Sequence, residues 1–168
     1  MRELMPENDA RGLRFALVAS RFNEAYVRRL ADAAAEVLRG RGAADGDLER
    51  WWVPGSFELP LACRWAATSG RFDAVLAFGV VIRGETEHFR LVSDAASDGL
   101  LRVGLETGVP VLNGVLAAYD AEQAAARTGG ALGNRGAEVA LAAVQMARLR
   151  KAAGDGRPHG FVQRDATP

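Results

Sequence analysis

The stretch of sequence that decides the fold is Phe72–Arg90, which reads FDAVLAFGVVIRGETEHFR. It begins as an apolar, β-branched run, passes Gly79 and Gly84, and ends in a polar helix start that carries Thr86 and His88. A buried strand that leads through a glycine turn into a helix N-terminus is how open α/β sheets bind small anions. This stretch therefore predicts an α/β protein with a small-molecule site at the turn.

Strand and helix patterns alternate along the rest of the chain. Short apolar runs predict four strands, at residues 13–19, 48–53, 72–78 and 109–116. Helical spacing predicts helices at residues 24–39, 56–69, 86–106 and 120–127, and a last one from 134 or 135 to about 151, after a loop at 129–133. Asn23, Ser56 and Thr86 are the predicted N-caps. The alternation predicts a parallel sheet with right-handed crossovers and helices on both faces.

Composition indicates one globular domain over residues 1–168, with an irregular segment at 1–12 and a flexible tail at 154–168. Apolar residues make up 49%, and 21 basic residues balance 21 acidic ones, which argues against nucleic acid or an anionic membrane as the main partner. The single cysteine, Cys63, excludes an intrachain disulfide and is predicted to be a small buried apolar side chain. With no signal peptide pattern and no apolar run of transmembrane length, we expect a cytoplasmic protein.

Unusual residues occur at the predicted β→α transitions, and the carboxyl ends of parallel strands meet at one rim of the sheet. The four transitions carry Phe22-Asn23, Ser56-Phe57-Glu58, Val80 to His88, and Asn113-Gly114. Taken singly, these residues also have ordinary roles, as a core aromatic, a helix-start charge, an N-cap or a surface histidine. Their convergence on one rim is what predicts a site.

Several other chemistries have no support in the sequence. There is no Cys/His cluster with metal-ligand spacing, no GxGxxG after the first strand, no Walker A sequence and no GxSxG elbow. The loop SRFNE lacks the Ser/Thr/Gly-rich phosphate cradle of a flavodoxin-type FMN site.

Five motifs, taken together and in order, resemble the lumazine synthase family. They are RFN (21–23), VPGSFELP (53–60), GVVIRGETEHF (79–89), PVLNGVL (110–116) and R-x-G-x-x-x-G-N-R-G (127–136), within a resemblance that covers about residues 12–150. The resemblance implies a three-layer αβα sandwich around a four-stranded, parallel, flavodoxin-like sheet. It also implies condensation of 5-amino-6-(D-ribitylamino)uracil with 3,4-dihydroxy-2-butanone 4-phosphate. The products are 6,7-dimethyl-8-ribityllumazine, phosphate and water, in the penultimate step of riboflavin biosynthesis, with no metal or organic cofactor.

The resemblance assigns the pyrimidine substrate to three segments of this chain. Phe22 would stack on the ring, and Asn23 would hydrogen-bond nearby polar groups. Ser56-Phe57-Glu58 would hold the ribityl chain, and Val80-Val81-Ile82 would contact the pyrimidine through backbone groups.

The phosphate-bearing substrate is assigned to the turn that follows. Backbone N–H groups of Gly84-Glu85-Thr86, together with the Thr86 hydroxyl, would bind phosphate. His88 would shuttle protons, because an imidazole titrates near neutrality. Taken singly, Arg127 and Arg135 are typical of solvated charges near helix ends, but the resemblance places both at the site, where the fork of Arg127 suits phosphate.

The family's site lies between adjacent subunits of a pentamer, so a neighbouring chain would supply Asn113, Arg127 and Arg135. The expected partners are therefore copies of this chain, as a pentamer or as sixty subunits in a capsid, with riboflavin synthase as a candidate protein partner. Two positions depart from the family pattern. Asn113 stands where an aromatic residue is frequent, and Arg135 stands where lysine is frequent.

Two alternatives to the enzyme stay open on the same fold. One is a protein that binds flavin or lumazine without turnover, and the other is a mainly structural cage. Arg127, Thr86 and His88 favour the enzyme, because a pure binder needs no pocket for a phosphate-bearing substrate.

Overall fold

The computed structural model describes residues 3–5 and 7–154 and confirms the predicted alternation of strands and helices. The elements are β1 (Phe15–Ser20), α1 (Glu24–Gly40), β2 (Leu48–Val53), α2 (Leu59–Thr68), β3 (Ala74–Ile82), α3 (His88–Thr107), β4 (Val111–Ala118), α4 (Ala121–Arg127), β5 (Thr128–Gly130), β6 (Gly133–Asn134) and α5 (Arg135–Ala152). The tail predicted at 154–168 lies outside the described residues, apart from Gly154. No helix among the described residues is long and apolar enough to cross a membrane.

The four long strands form one sheet in the order β2-β1-β3-β4, and every pairing is parallel. Side chains of β1 alternate between two apolar layers, as the strand period of two requires. Leu17 packs in the layer that contains α1 and α5, whereas Val18 packs in the layer that contains α2 and α3. The three-layer αβα sandwich is therefore confirmed, and Cys63 is buried in the second layer as predicted.

Four details of the predicted local structure are wrong. Asn23 and Ser56 make no side-chain cap, and Glu87 rather than Thr86 occupies the N-cap position of α3. Asn23 instead bonds the backbone of β3 and Ser56 packs against Gly79, whereas the Thr86 hydroxyl still accepts from the backbone N–H of His88. The loop predicted at 129–133 is a short antiparallel hairpin of β5 and β6.

The third strand is longer than predicted, because Gly79 lies inside it and does not end it. Position 79 carries no side chain because β3 approaches the 3₁₀ turn Ser56–Glu58 very closely there. A Cβ atom at Gly79 would lie within van der Waals overlap of the Ser56 hydroxyl and 3.1 Å from Leu59 Cδ1. This contact brings the connection after β2 against the end of β3, where the predicted site lies.

Gly79→Ala should therefore destabilise the fold by about 1–3 kcal/mol, because the added methyl overpacks a rigid contact. Adding Ser56→Ala removes the overlapping hydroxyl but leaves Ser56 Cβ at 3.2 Å, so the double variant should recover part of the loss. Gly46→Ala is the matched control, since a Cβ there meets nothing within 4 Å. Denaturant unfolding at equal protein concentration measures all three. A loss in the double variant equal to the sum of the single losses would contradict the contact.

Candidate active site

A cavity of about 360 Å³ opens at the carboxyl edge of the sheet. Its walls come from the connections after β1, β2 and β3 and from the first turns of α3. The lining residues are Phe22, Gly55, Ser56, Phe57, Val81, Ile82, Gly84, Thr86, His88, Phe89 and Val92. Three of the four predicted transitions therefore meet, as the parallel topology requires.

The connection after β1 is held to the connection after β2 by backbone hydrogen bonds. Arg21 N donates to Val53 O at 2.8 Å, and Phe22 N donates to Pro54 O at 3.1 Å. The bonds extend the β1–β2 pairing past the strand ends and fix the backbone that carries the Phe22 ring. That ring is 69% exposed and the Phe57 ring is 63% exposed, so two aromatic side chains of the cavity remain in water. Exposed aromatic rings in a fixed frame are suited to stacking on a flat heterocycle.

The backbone of β3 is bare on one side at the cavity. The β1–β3 pairing ends at Ala19 and Phe78, but β3 continues to Ile82. Asn23 covers one position of this edge, since its Nδ2 donates to Val80 O at 2.8 Å. Backbone groups alternate sides along a strand, so the N–H and C=O of Ile82 face the same side as those of Val80. Ile82 lines the cavity, and its backbone therefore offers one donor and one acceptor there.

The turn before α3 supplies the polar end of the cavity. Thr86 Oγ1 accepts from His88 N at 3.3 Å, which leaves the Thr86 hydroxyl proton free to donate. His88 is the exposed first residue of α3, and its imidazole hydrogen-bonds to no other described residue. A helix N-terminus with free N–H groups and a hydroxyl donor is suited to an anion such as phosphate.

Four residues that were predicted to bind substrate within one chain do not line this cavity, namely Asn23, Glu58, Val80 and Glu85. Val80 is buried, and its carbonyl already accepts from Asn23. The side chains of Glu58 and Glu85 are exposed beside the cavity. Of these four, Asn23 has a clear role in the frame, because it replaces the missing strand neighbour of Val80.

The three residues predicted to come from a neighbouring chain also lie away from the cavity of Phe22 and His88. Asn113 was predicted at the end of a strand, but it lies within β4, opposite Ala77. Its Nδ2 donates to Ser97 Oγ at 3.0 Å. Arg127 lines a second cavity, of about 550 Å³, between the end of β4, α4 and the β5–β6 hairpin. Within one chain, Arg127 and Arg135 therefore form a second group apart from the Phe22–His88 cavity, and Asn113 belongs to neither group.

The second group contains Glu138, a residue that sequence reasoning missed. Its carboxylate contacts Arg127 Nη2 at 3.3 Å and Arg135 Nη1 at 2.7 Å. The hydrogen bond from Arg135 lowers the pKa of Glu138, and the charge of Arg127 acts in the same direction. The carboxylate therefore stays ionised to a lower pH than an unpaired glutamate does. Its i, i+3 spacing from Arg135 is the one sequence signal that indicated this contact.

The fold and the cavity together define a doubly wound α/β protein with a cavity of small-molecule size at the carboxyl ends of its strands. A family model described as 6,7-dimethyl-8-ribityllumazine synthase matches residues 12–151, so the chain belongs to that family. Membership confirms the resemblance found in the five motifs. It implies lumazine synthase activity, a transferase reaction on small molecules in riboflavin biosynthesis, in a family whose members oligomerise.

The backbone of Asn23 predicts an unusual order of stability among variants. Its φ of 58° is left-handed, which asparagine and glycine tolerate and alanine does not. Asn23→Gly loses the bond to Val80 and should cost about 1 kcal/mol, whereas Asn23→Ala adds backbone strain and should cost about 2–3 kcal/mol. Denaturant unfolding of the two variants checks the order, and equal losses would show that the strain is absent.

Proposed function

We propose that the protein condenses 5-amino-6-(D-ribitylamino)uracil with 3,4-dihydroxy-2-butanone 4-phosphate to give 6,7-dimethyl-8-ribityllumazine. The observation that carries this proposal is the cavity itself. In it an exposed aromatic ring, the free backbone edge of Ile82 and the start of α3 lie together. These three elements match a flat pyrimidine, its imide edge and a phosphate.

The pyrimidine is bound by stacking and by backbone recognition. The ring lies against Phe22, and its imide, which carries one N–H donor beside carbonyl acceptors, pairs with the Ile82 backbone. The ribityl chain runs along Ser56-Phe57-Glu58, where the Glu58 carboxylate accepts from hydroxyl groups. Backbone pairing makes this recognition independent of the side chains at 80–82.

The phosphate of the second substrate lies at the N-terminus of α3, against the backbone at Gly84 and Glu85 and the Thr86 hydroxyl. The ketone carbon is then placed beside the 5-amino group of the pyrimidine. Holding two reactants in this way converts a bimolecular condensation into a local one and supplies much of the rate.

His88 moves the protons that the bond changes require. The amine attacks the ketone and water leaves as the imine forms, and removal of a carbon-bound proton then allows elimination of phosphate. Attack by the ribitylamino nitrogen closes the second ring with loss of water. His88 is exposed at the head of α3, and a neutral imidazole accepts a proton that its imidazolium later returns.

A neighbouring copy of the chain completes the site. Support comes from the separation of the two residue groups and from the charge each offers. Among the described residues no arginine lines the Phe22–His88 cavity, whereas Arg127 lines a cavity of its own and shares the Glu138 carboxylate with Arg135. Arg127 of the neighbour forks onto the phosphate. Asn113 of the neighbour gives a polar contact, and closure of the ring produces a pentamer or a capsid of pentamers.

Product formation from the two substrates, followed by lumazine fluorescence, tests the proposed reaction. His88→Ala should lower kcat by about 10²-fold, because a positioned proton shuttle is lost. Phe22→Ala should lower kcat/KM by about tenfold, which corresponds to the loss of one aromatic stacking contact. Wild-type rates in both variants would refute the assignment.

Tight lumazine binding without any turnover of the wild-type protein would support the alternative of a flavin- or lumazine-binding protein.

The shared site is tested by mixing two variants. The His88→Ala and Arg127→Ala proteins should each have low activity alone. In rings that contain equal amounts of the two variants, about a quarter of the interfaces combine a wild-type His88 from one chain with a wild-type Arg127 from the next. Activity should recover toward that fraction. Recovery is impossible if each chain holds a complete site.

Light scattering on the same samples checks assembly, so that lost assembly is not mistaken for lost chemistry. From a chain of 17.9 kDa, a pentamer has a mass of about 90 kDa and sixty subunits have about 1.1 MDa.

A further inference from the structure

One carboxylate, that of Glu138, lies between two guanidinium groups. Arg135 Nη1 donates to Glu138 Oε2 at 2.7 Å. Arg127 Nη2 lies 3.3 Å and 3.4 Å from the two carboxylate oxygens. Both arginines are therefore gathered at one carboxylate, although they belong to different helices.

Glu138 itself is held in place by the start of α5. Asn134 Oδ1 accepts from Gly136 N at 2.8 Å, and Asn134 Nδ2 donates to Arg29 O on α1 at 3.2 Å. A Cβ at Gly136 would overlap the Leu30 carbonyl, so the first turn of α5 is pressed against the backbone of α1. The first turn that carries Arg135 and Glu138 therefore has little freedom to shift.

Arg127 has a second fixed contact on the other side. Its Nη1 donates to the carbonyl of Leu132 at 2.9 Å, in the hairpin that follows α4. The hairpin is tied back in turn, since Leu132 N donates to Ala126 O at 3.0 Å. Arg127 is thus aimed by one backbone carbonyl and one carboxylate.

Without Glu138, the two guanidinium groups would repel each other, and Arg135 would have no other partner among the described residues. Arg127 would keep only its contact with the Leu132 carbonyl, and half-buried cationic side chains that lose a shared anion reach more rotamers. Phosphate binding would then have to order both arginine side chains, and the conformational entropy lost in this step would weaken the binding.

We propose that Glu138 is a positioning residue that holds Arg127 and Arg135 side by side for the phosphate-bearing substrate. This inference rests on the proposed function and extends it to a residue outside the five motifs. Glu138 acts through the two arginines and makes no contact with the reacting atoms. In the opposite case, Glu138 would compete with phosphate for the two arginines. Removal of its charge would then make anion binding tighter.

Glu138→Gln is the decisive variant, because it keeps the shape of the side chain and removes its charge. We expect KM for the butanone phosphate to rise about three- to fivefold, with kcat and KM for the pyrimidine within about twofold of wild type. The dissociation constant of inorganic phosphate, measured by calorimetry on the assembled protein, should rise by a similar factor. Glu106→Gln is the matched control, since it also breaks an exposed pair, with Arg64 at 3.3 Å, far from both cavities in the fold.

A double-variant cycle separates positioning from a general loss of structure. In an Arg127→Ala background, adding Glu138→Gln should change phosphate affinity much less than it does in the wild type. Additive effects, an unchanged KM, or tighter phosphate binding would each overturn the proposal.

Failure of the proposed function is a separate result, namely absence of lumazine formation by the wild-type protein. The phosphate titrations would still decide the role of Glu138 in that case.

Discussion

The site depends on a mismatch of strand lengths at the centre of the sheet. Strand β3 runs past the end of β1, so its backbone edge from Gly79 to Ile82 has no strand neighbour on that side. Buried backbone polar groups must find partners, and here one is supplied by a side chain, that of Asn23. The remaining groups face a cavity, where a ligand can take the place of a strand. The missing strand neighbour therefore leaves backbone donors and acceptors of β3 unpaired, and these same groups are the ones that can recognise a ligand.

The architecture was predictable because long, periodic apolar patterns leave little choice. The strand at 48–53 is confirmed to the residue, and the order of the predicted strands and helices is confirmed, whereas the β5–β6 hairpin was not predicted. The end of β3 was not predictable, because Gly79 looks like a turn residue until its neighbour Ser56 is known. Its glycine is required by a tertiary contact, and local sequence carries no signal for that contact.

Site residues were predictable to different degrees for a physical reason. Phe22, Ser56, Thr86 and His88 follow strands or begin a helix, and parallel topology alone brings such positions together. Asn113 was placed at a strand end but lies within β4, because this strand continues past the Asn113-Gly114 pair to Ala118. Glu138 was missed because a charged residue in the first turn of a helix is ordinary until its two partners are seen. Roles that depend on a second chain could come only from the resemblance.

Helix α1 joins the two halves of this arrangement. Its first turn follows Asn23, which binds β3 beside one cavity, and Leu30 in its middle contacts Gly136 beside the other residue group. With a rise of 1.5 Å per residue, these two anchor points are separated by about 10 Å along a rigid axis. The helix therefore holds the two anchor points at a fixed distance. Helix α1 thereby fixes the spacing between the Phe22–His88 cavity and the Arg127–Glu138 group within each chain, whatever ligand either of them binds.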